Sequence, residues 1–343
     1  MHMADALISP AVGGAMWAVS GGLIAYSARK VRQEADDRKI PLMGVLGAFI
    51  FAAQMINFTI PGTGSSGHLG GGMILSILLG PYAAFLVLAS VLTVQALFFA
   101  DGGLLALGCN IVNMGFFTCF VAYPLIYKKI MGRGLDRKRL LLAAAIAGIA
   151  GLQFGAFGVV LETVSSGVSE LPFKTFILLM LPIHLAIGLV EGLVTSGVVS
   201  FVLAARPEII AAASGGEPLG VSVKKTALGI AAAAVLTGAA LSWFASAKPD
   251  GLEWALSRAH GGEPGAGGKF RGLLASVQAG TAFLPDYGFR AGGAVKAGPE
   301  KAPWPAVEPG RSAAGLTGGA ITLLLAALTG FVLRRHKIAP DKE

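Results

Sequence analysis

The chain has 343 residues, 54% of them hydrophobic and only 13% charged, with a formal net charge of +8 and a mean hydropathy of +0.70. Soluble globular domains carry about 25% charged residues, so this composition excludes a water-soluble enzyme and implies a membrane protein. The positive balance raises nucleic acid as a partner, but the basic residues fall in four short clusters between apolar stretches, which is a topology signal and not a nucleic-acid surface.

A membrane-spanning helix needs about 20 largely apolar residues. Taken in chain order, such segments are predicted at 8 to 28, 41 to 59, 82 to 100, 109 to 127, 140 to 162, 175 to 204, 225 to 245 and 315 to 333. The stretch 69 to 80 is too short to span unaided and is expected as a short helix or re-entrant segment packed inside the bundle. The basic clusters are Arg29, Lys30, Arg32, Arg38 and Lys39; Lys128, Lys129, Arg133, Arg137, Lys138 and Arg139; Arg206, Lys224 and Lys225; and Arg334, Arg335, Lys337 and Lys342. The positive-inside rule makes all four cytoplasmic. With 69 to 80 crossing or reaching the inner side, this gives an all-α polytopic protein of about nine membrane segments, N-terminus outside and C-terminus inside.

No charged region precedes the first apolar stretch and basic residues follow it, so it reads as an uncleaved helix inserted N-terminus out. The methionine before bulky His2 is expected to be retained, which leaves its amine free. Residues 1 to 205 form one set of closely spaced helices, 206 to 224 reads as a polar cytoplasmic linker, and 225 to 343 forms a helical pair around an outer loop, 246 to 314. That loop is rich in Gly and Pro and is expected to be irregular, with aromatic islands at PDGLEWALSRAH and FLPDYGF able to dock elsewhere. Cys109 and Cys119 share one apolar segment without metal-type spacing and read as packed thiols.

Metal chemistry is concentrated at the outer face. Met1-His2 offers an amine, an amide nitrogen and an imidazole. Amine and amide close a five-membered chelate ring, and amide and imidazole a six-membered one. His68, in NFTIPGTGSSGHLGGG, supplies a fourth nitrogen from a loop whose glycines permit close approach. Four nitrogens in a plane suit Ni(II) or Cu(II), and because the amide must lose its proton, affinity should rise with pH. Ser65, Ser66, Asp101, Asn110 and Asn113 are candidates for the surrounding shell, Asp101 also as a simple helix cap. His184 and Glu191 lie seven apart in LPIHLAIGLVEGLVT, on one helix face, and either tie helices together or form part of a transport path. The chain contains neither GxxxxGK[ST] nor HExxH, so neither a nucleotide-hydrolysing loop nor a zinc protease is indicated.

Met-His at the terminus, NFTIPGTGSSGHLGG, QALFFADGGLLALGCNIVNMG and HLAIGLVEGLVT together resemble the CbiM/NikM family, the substrate-binding components of energy-coupling-factor nickel and cobalt importers. The second module, with PDGLEW and FLPDYGF, resembles the PDGLE/NikN-type partner subunit, fused here to the first. The resemblance implies a seven-helix substrate component plus a two-helix module in the cell (inner) membrane. It implies metal ligands falling on Met1, His2 and His68, and a transmembrane coupling protein and two cytoplasmic ATPases as partners. The transported metal is then Ni(II), with Co(II) for cobalamin synthesis as the alternative, and no resident cofactor is expected. Where the family commonly continues Met-His-Ile-Pro-Asp-Gly, this chain reads Met-His-Met-Ala-Asp-Ala; the donors survive the change. Two other classes compete: a proton-driven secondary metal transporter using His184 and Glu191, and a membrane metalloenzyme, for which no carboxylate motif supplies a convincing general base.

Overall fold

The computed structural model describes residues 1–34, 39–132, 136–168, 172–215, 223–260, 268–290 and 304–335. Arg38, Arg133, Lys337 and Lys342 of the basic clusters, 216–222 of the expected linker, and 261–267 and 291–303 of the outer loop lie outside the described residues.

Among the described residues, six helices are long and apolar enough to cross a membrane: α1 (Pro10–Glu34), α4 (Pro81–Phe99), α5 (Leu107–Met131), α6 (Arg137–Ser166), α7 (Phe173–Ala205) and α12 (Pro309–Arg335). Two more, α2 (Lys39–Gln54) and α9 (Lys224–Ala239), have 16 residues each. At 1.5 Å per residue that is about 24 Å, short of the roughly 30 Å hydrocarbon core. Between them lies α3 (Gly72–Leu79), whose eight residues are all buried. It is the short, bundle-enclosed helix expected for 69 to 80, and it reaches only about 12 Å. Glycines at both of its ends, Gly71 (φ 74°) and Gly80 (φ 83°), take the left-handed backbone that stops a helix there.

Two sequence expectations are corrected. The segment 41 to 59 leaves the helix at Gln54, and the chain then forms a hairpin, β1 (Phe58–Ile60) paired antiparallel with β2 (Ser65–Gly67) in the register Phe58↔Gly67, Thr59↔Ser66 and Ile60↔Ser65. Average hydropathy hides the reason: Thr59 and Ile60 are β-branched, Pro61 cannot continue a helix, and Gly62 and Gly64 supply the positive φ of the turn. The fold is therefore helical apart from this hairpin. Likewise 225 to 245 ends as α-helix at Ala239 and closes with a 3₁₀ turn, Leu241–Phe244. The stretch expected as linker begins with a helix, α8 (Pro207–Gly215), whose Ile209 and Ile210 are buried. The outer loop contains α10 (Gly251–His260) and α11 (Lys269–Thr281) on and beside the aromatic islands.

α4 is the most enclosed of the six long helices and α1 the most peripheral. Small residues set the close helix contacts, as packing in lipid requires. Gly188 and Gly192 of α7 lie against Ile149 and Ala145 of α6, while Gly44 and Gly47 of α2 lie against Leu323, Thr322 and Ala326 of α12. The second pair of helices is thus packed directly on the first set. Both cysteines are buried free thiols, as expected.

Candidate metal centre

The N-terminal strand enters the bundle and is fastened from both sides. Asn110 of α5 accepts the Met3 N–H at 2.8 Å and donates to the Met3 carbonyl at 3.3 Å, and Gly103 N–H donates to the same carbonyl at 2.9 Å. Asp5 accepts N–H bonds from Leu105 (2.8 Å) and Ala106 (3.0 Å). The path of Met-His-Met-Ala-Asp is therefore fixed without the Pro and Gly common in this position. Asn110→Ala leaves the buried Met3 N–H without that acceptor, a loss of about 1–3 kcal/mol. The expected result is a lower unfolding midpoint in detergent.

Met1 and His2 meet His68 at the top of the bundle. The Met1 amine stands 3.2 Å from His68 Nε2, and the two imidazole rings stack with centroids 4.9 Å apart. Nitrogens about 2 Å from one metal at right angles lie about 2.8 Å apart, so amine and imidazole need little movement to become neighbouring ligands. Among the described residues, no three His, Cys, Asp or Glu side chains form a metal-holding group.

Hydrogen bonds assign the imidazole tautomers. His68 Nδ1 faces the Leu69 carbonyl at 3.0 Å and must donate, which leaves Nε2 as the lone-pair nitrogen, facing the Met1 amine. His2 is set by a longer chain. Gln54 Nε2 donates to the Gly70 carbonyl (2.8 Å), so Gln54 Oε1 accepts from Gln95 Nε2 (2.9 Å), which turns Gln95 Oε1 toward His2 Nε2 at 3.1 Å. His2 Nε2 therefore carries the proton, and Nδ1, the nitrogen that closes the six-membered ring, keeps its lone pair. Asp101 Oδ1 lies 3.5 Å from that Nδ1, beside the place a cation would take.

Electrostatics keep both rings unprotonated. Burial, then the Met1 ammonium and His2, push His68 down to about 3. Burial also lowers His2, with the ammonium adding to it and Asp101 and Asp250 offsetting part. Asp250 is the counter-ion of the amine, 3.1 Å away. Burial alone would raise its carboxyl, but the ammonium holds it well below the usual carboxylate range.

The remaining sequence candidates divide. Asp101 abuts His2 and accepts the Tyr287 hydroxyl at 2.5 Å, which docks the FLPDYGF island. Asn110 positions the N-terminus, and Asn113 donates to Glu162 Oε2 (2.6 Å) one layer below. Ser65 and Ser66 bond to neighbouring backbone: Ser65 Oγ donates to the Ser66 carbonyl (3.1 Å), Ser66 Oγ to the Lys248 carbonyl (2.7 Å) and Ser66 N–H to the Pro249 carbonyl (2.8 Å). Glu191 accepts the N–H groups of Gly70 (2.8 Å) and Gly71 (3.0 Å), tying the His68 loop to α7. His184 donates through Nδ1 to the Met180 carbonyl (2.8 Å), and the far side of its ring lines a small cavity with Met1, His68 and Asp250. Sequence reasoning missed Gln54, Gln95 and Asp250, although Asp250 sits inside the quoted PDGLEW island.

Residues 2–209 match the family of cobalt uptake substrate-specific transmembrane regions, CbiM, and residues 224–335 match the PDGLE domain. The chain belongs to the CbiM family. A metal transport protein of Haloquadratum walsbyi, so named with the qualifier of a provisional assignment, is 37% identical over 61% of this chain and 93% of its own length. A fused nickel transport protein NikMN of Archaeoglobus fulgidus, similarly qualified, is 40% identical over 61% of this chain and 68% of its own. A crystal structure of a truncated transition metal transporter superposes with a TM-score of 0.54 at 32% identity, covering 60% of this chain and 99% of that one. With six apolar spanning helices, the chain is a multi-pass membrane protein.

The five residues that give the PDGLE domain its name each have a physical task here. The Pro249 carbonyl accepts the Ser66 N–H of the hairpin at 2.8 Å. Asp250 and Glu253 form a capping box on α10: Asp250 Oδ1 accepts the N–H groups of Leu252 and Glu253, both at 2.8 Å, and Glu253 Oε2 accepts the Asp250 N–H at 3.0 Å. Gly251 passes so near the CbiM region that a Cβ there would stand 3.0 Å from His184 Cε1 and from Ile187 Cδ1. Leu252 is buried. Trp254 Nε1 then donates to the Thr63 carbonyl in the hairpin turn (3.0 Å), so the PDGLE domain roofs the loop that carries His68.

Proposed function

We propose that this chain captures Ni(II) at an extracytoplasmic site made by the Met1 amine, the His2 amide nitrogen, His2 Nδ1 and His68 Nε2. It delivers the ion inward as the substrate-specific part of an ATP-driven energy-coupling-factor importer. The observation that carries this reading is the tautomer pair: the two imidazole nitrogens left with lone pairs are the two that a fused N-terminal chelate requires. A planar four-nitrogen set suits Ni(II), and a fused CbiM–PDGLE relative is named for nickel transport. Cobalt, the ion in the family description, is the alternative cargo.

In this reading residues 1–205 are the metal-binding domain and 225–343 the PDGLE module. The basic clusters around Arg29, Lys128 and Lys225 mark the cytoplasmic side, and the chain works as a transport component, not as an enzyme. Its partners are a transmembrane coupling protein and two cytoplasmic ATPases. The test is uptake of radioactive nickel by cells lacking their own nickel importers and expressing this chain with or without those partners. Accumulation is expected only with all partners present, and is expected to vanish when the ATPases are inactivated. Uptake by this chain alone that collapses with an uncoupler would instead establish a secondary transporter.

A further inference from the structure

We propose that Asp250 is the residue through which the PDGLE domain completes the metal site, holding the Met1 amine beside His68 and supplying the negative charge that a divalent ion at those nitrogens needs. This inference rests on the nickel site proposed above. The Asp250 carboxylate is divided between two tasks. Oδ1 is committed to the N-terminus of α10, whereas Oδ2 points to the Met1 amine at 3.1 Å. The turn that carries it cannot drift, because Ser66 N–H and Oγ hold the Pro249 and Lys248 carbonyls and Gly251 is wedged against His184 and Ile187.

Below the contact lies a cavity of about 10 Å³, room for about one water molecule. Met1, His68 and His184 line it, and Asp250 is the one carboxylate on its wall among the described residues. A divalent ion bound by neutral imidazoles and an amine, with at most one deprotonated amide, keeps a positive charge. In a site this buried that charge requires an anion in contact. Asp101 flanks the site from the His2 side through Oδ1, with Oδ2 taken by the Tyr287 hydroxyl, and Asp250 is the carboxylate that reaches the amine. Asp250 therefore serves the amine when the site is empty and the metal when it is full. The carboxylate stays ionised throughout and only its cationic partner changes.

The experiment uses the full chain, purified in detergent, with nickel affinity measured by titration calorimetry and the ligand set followed by the visible absorption band of bound nickel. Asp250→Asn is expected to weaken nickel binding at least about tenfold with the band unchanged, and Asp250→Glu to recover much of the loss. Unchanged or tighter binding in Asp250→Asn would overturn the proposal, because Asp250 would then only park the amine. Loss of the band in both variants would also overturn it, because the residue would then be structural. His68→Ala in the same series separates the two levels. If His68→Ala keeps full affinity, the underlying site is wrong. If it loses affinity while Asp250→Asn does not, only the role of Asp250 fails.

Discussion

One proline inserted between Met1 and His2 is expected to reduce nickel affinity by about a thousandfold or more, roughly 4 kcal/mol. No side chain is lost. Met3 stays anchored through Asn110 and Gly103, so the added residue pushes the amine outward by up to about 3.8 Å from its place 3.2 Å from His68 Nε2. It also separates the amine from the amide that His2 Nδ1 chelates with, and the proline nitrogen has no N–H to ionise in its place, so the fused ring system opens and the amine leaves the common plane. Calorimetry on the purified variant, with its N-terminal sequence verified, provides the measurement; wild-type affinity would eliminate the N-terminal chelate outright.

The second large effect is on pH. Nickel affinity is expected to rise by about one order of magnitude per pH unit near neutrality, because binding releases the proton of the His2 amide. The imidazoles do not contribute to that slope. His68 is pushed down to about 3 and His2 below its ordinary 6.5, so neither ring carries a proton for the metal to displace near pH 7. Calorimetry in buffers of differing ionisation enthalpy counts the protons directly, with at least one per nickel expected and none contradicting the chelate. The same shifts act on the metal-free fold. Between pH 6.5 and about 3 the unfolded chain binds protons at His68 that the folded chain refuses, so stability is lost as pH falls through that window.

Donor chemistry made Met1, His2 and His68 legible in the sequence, since their nitrogens announce metal affinity wherever they sit. Hydropathy likewise marked the long helices and the short buried α3, because span length and burial leave a local trace. What stayed hidden depends on distant pairing. Gln54 and Gln95 are ordinary polar residues within apolar helices until folding lines them up between Gly70 and His2. Asp250 reads as a helix cap, which it is; its second task requires the Met1 amine, 249 residues earlier. The hairpin was lost to averaging, since Phe58–Ile60 is as apolar as the helix before it and differs only in branching and in the proline that follows.

Gly70 is a junction between the His68 loop and two helices. Its N–H is held by Glu191 on α7 and its carbonyl by Gln54 on α2, while His68 stands two residues away in the same short stretch of chain. A pull on the His68 loop is therefore applied through one residue to two helices at once, so a displacement at His68 is shared between α2 and α7.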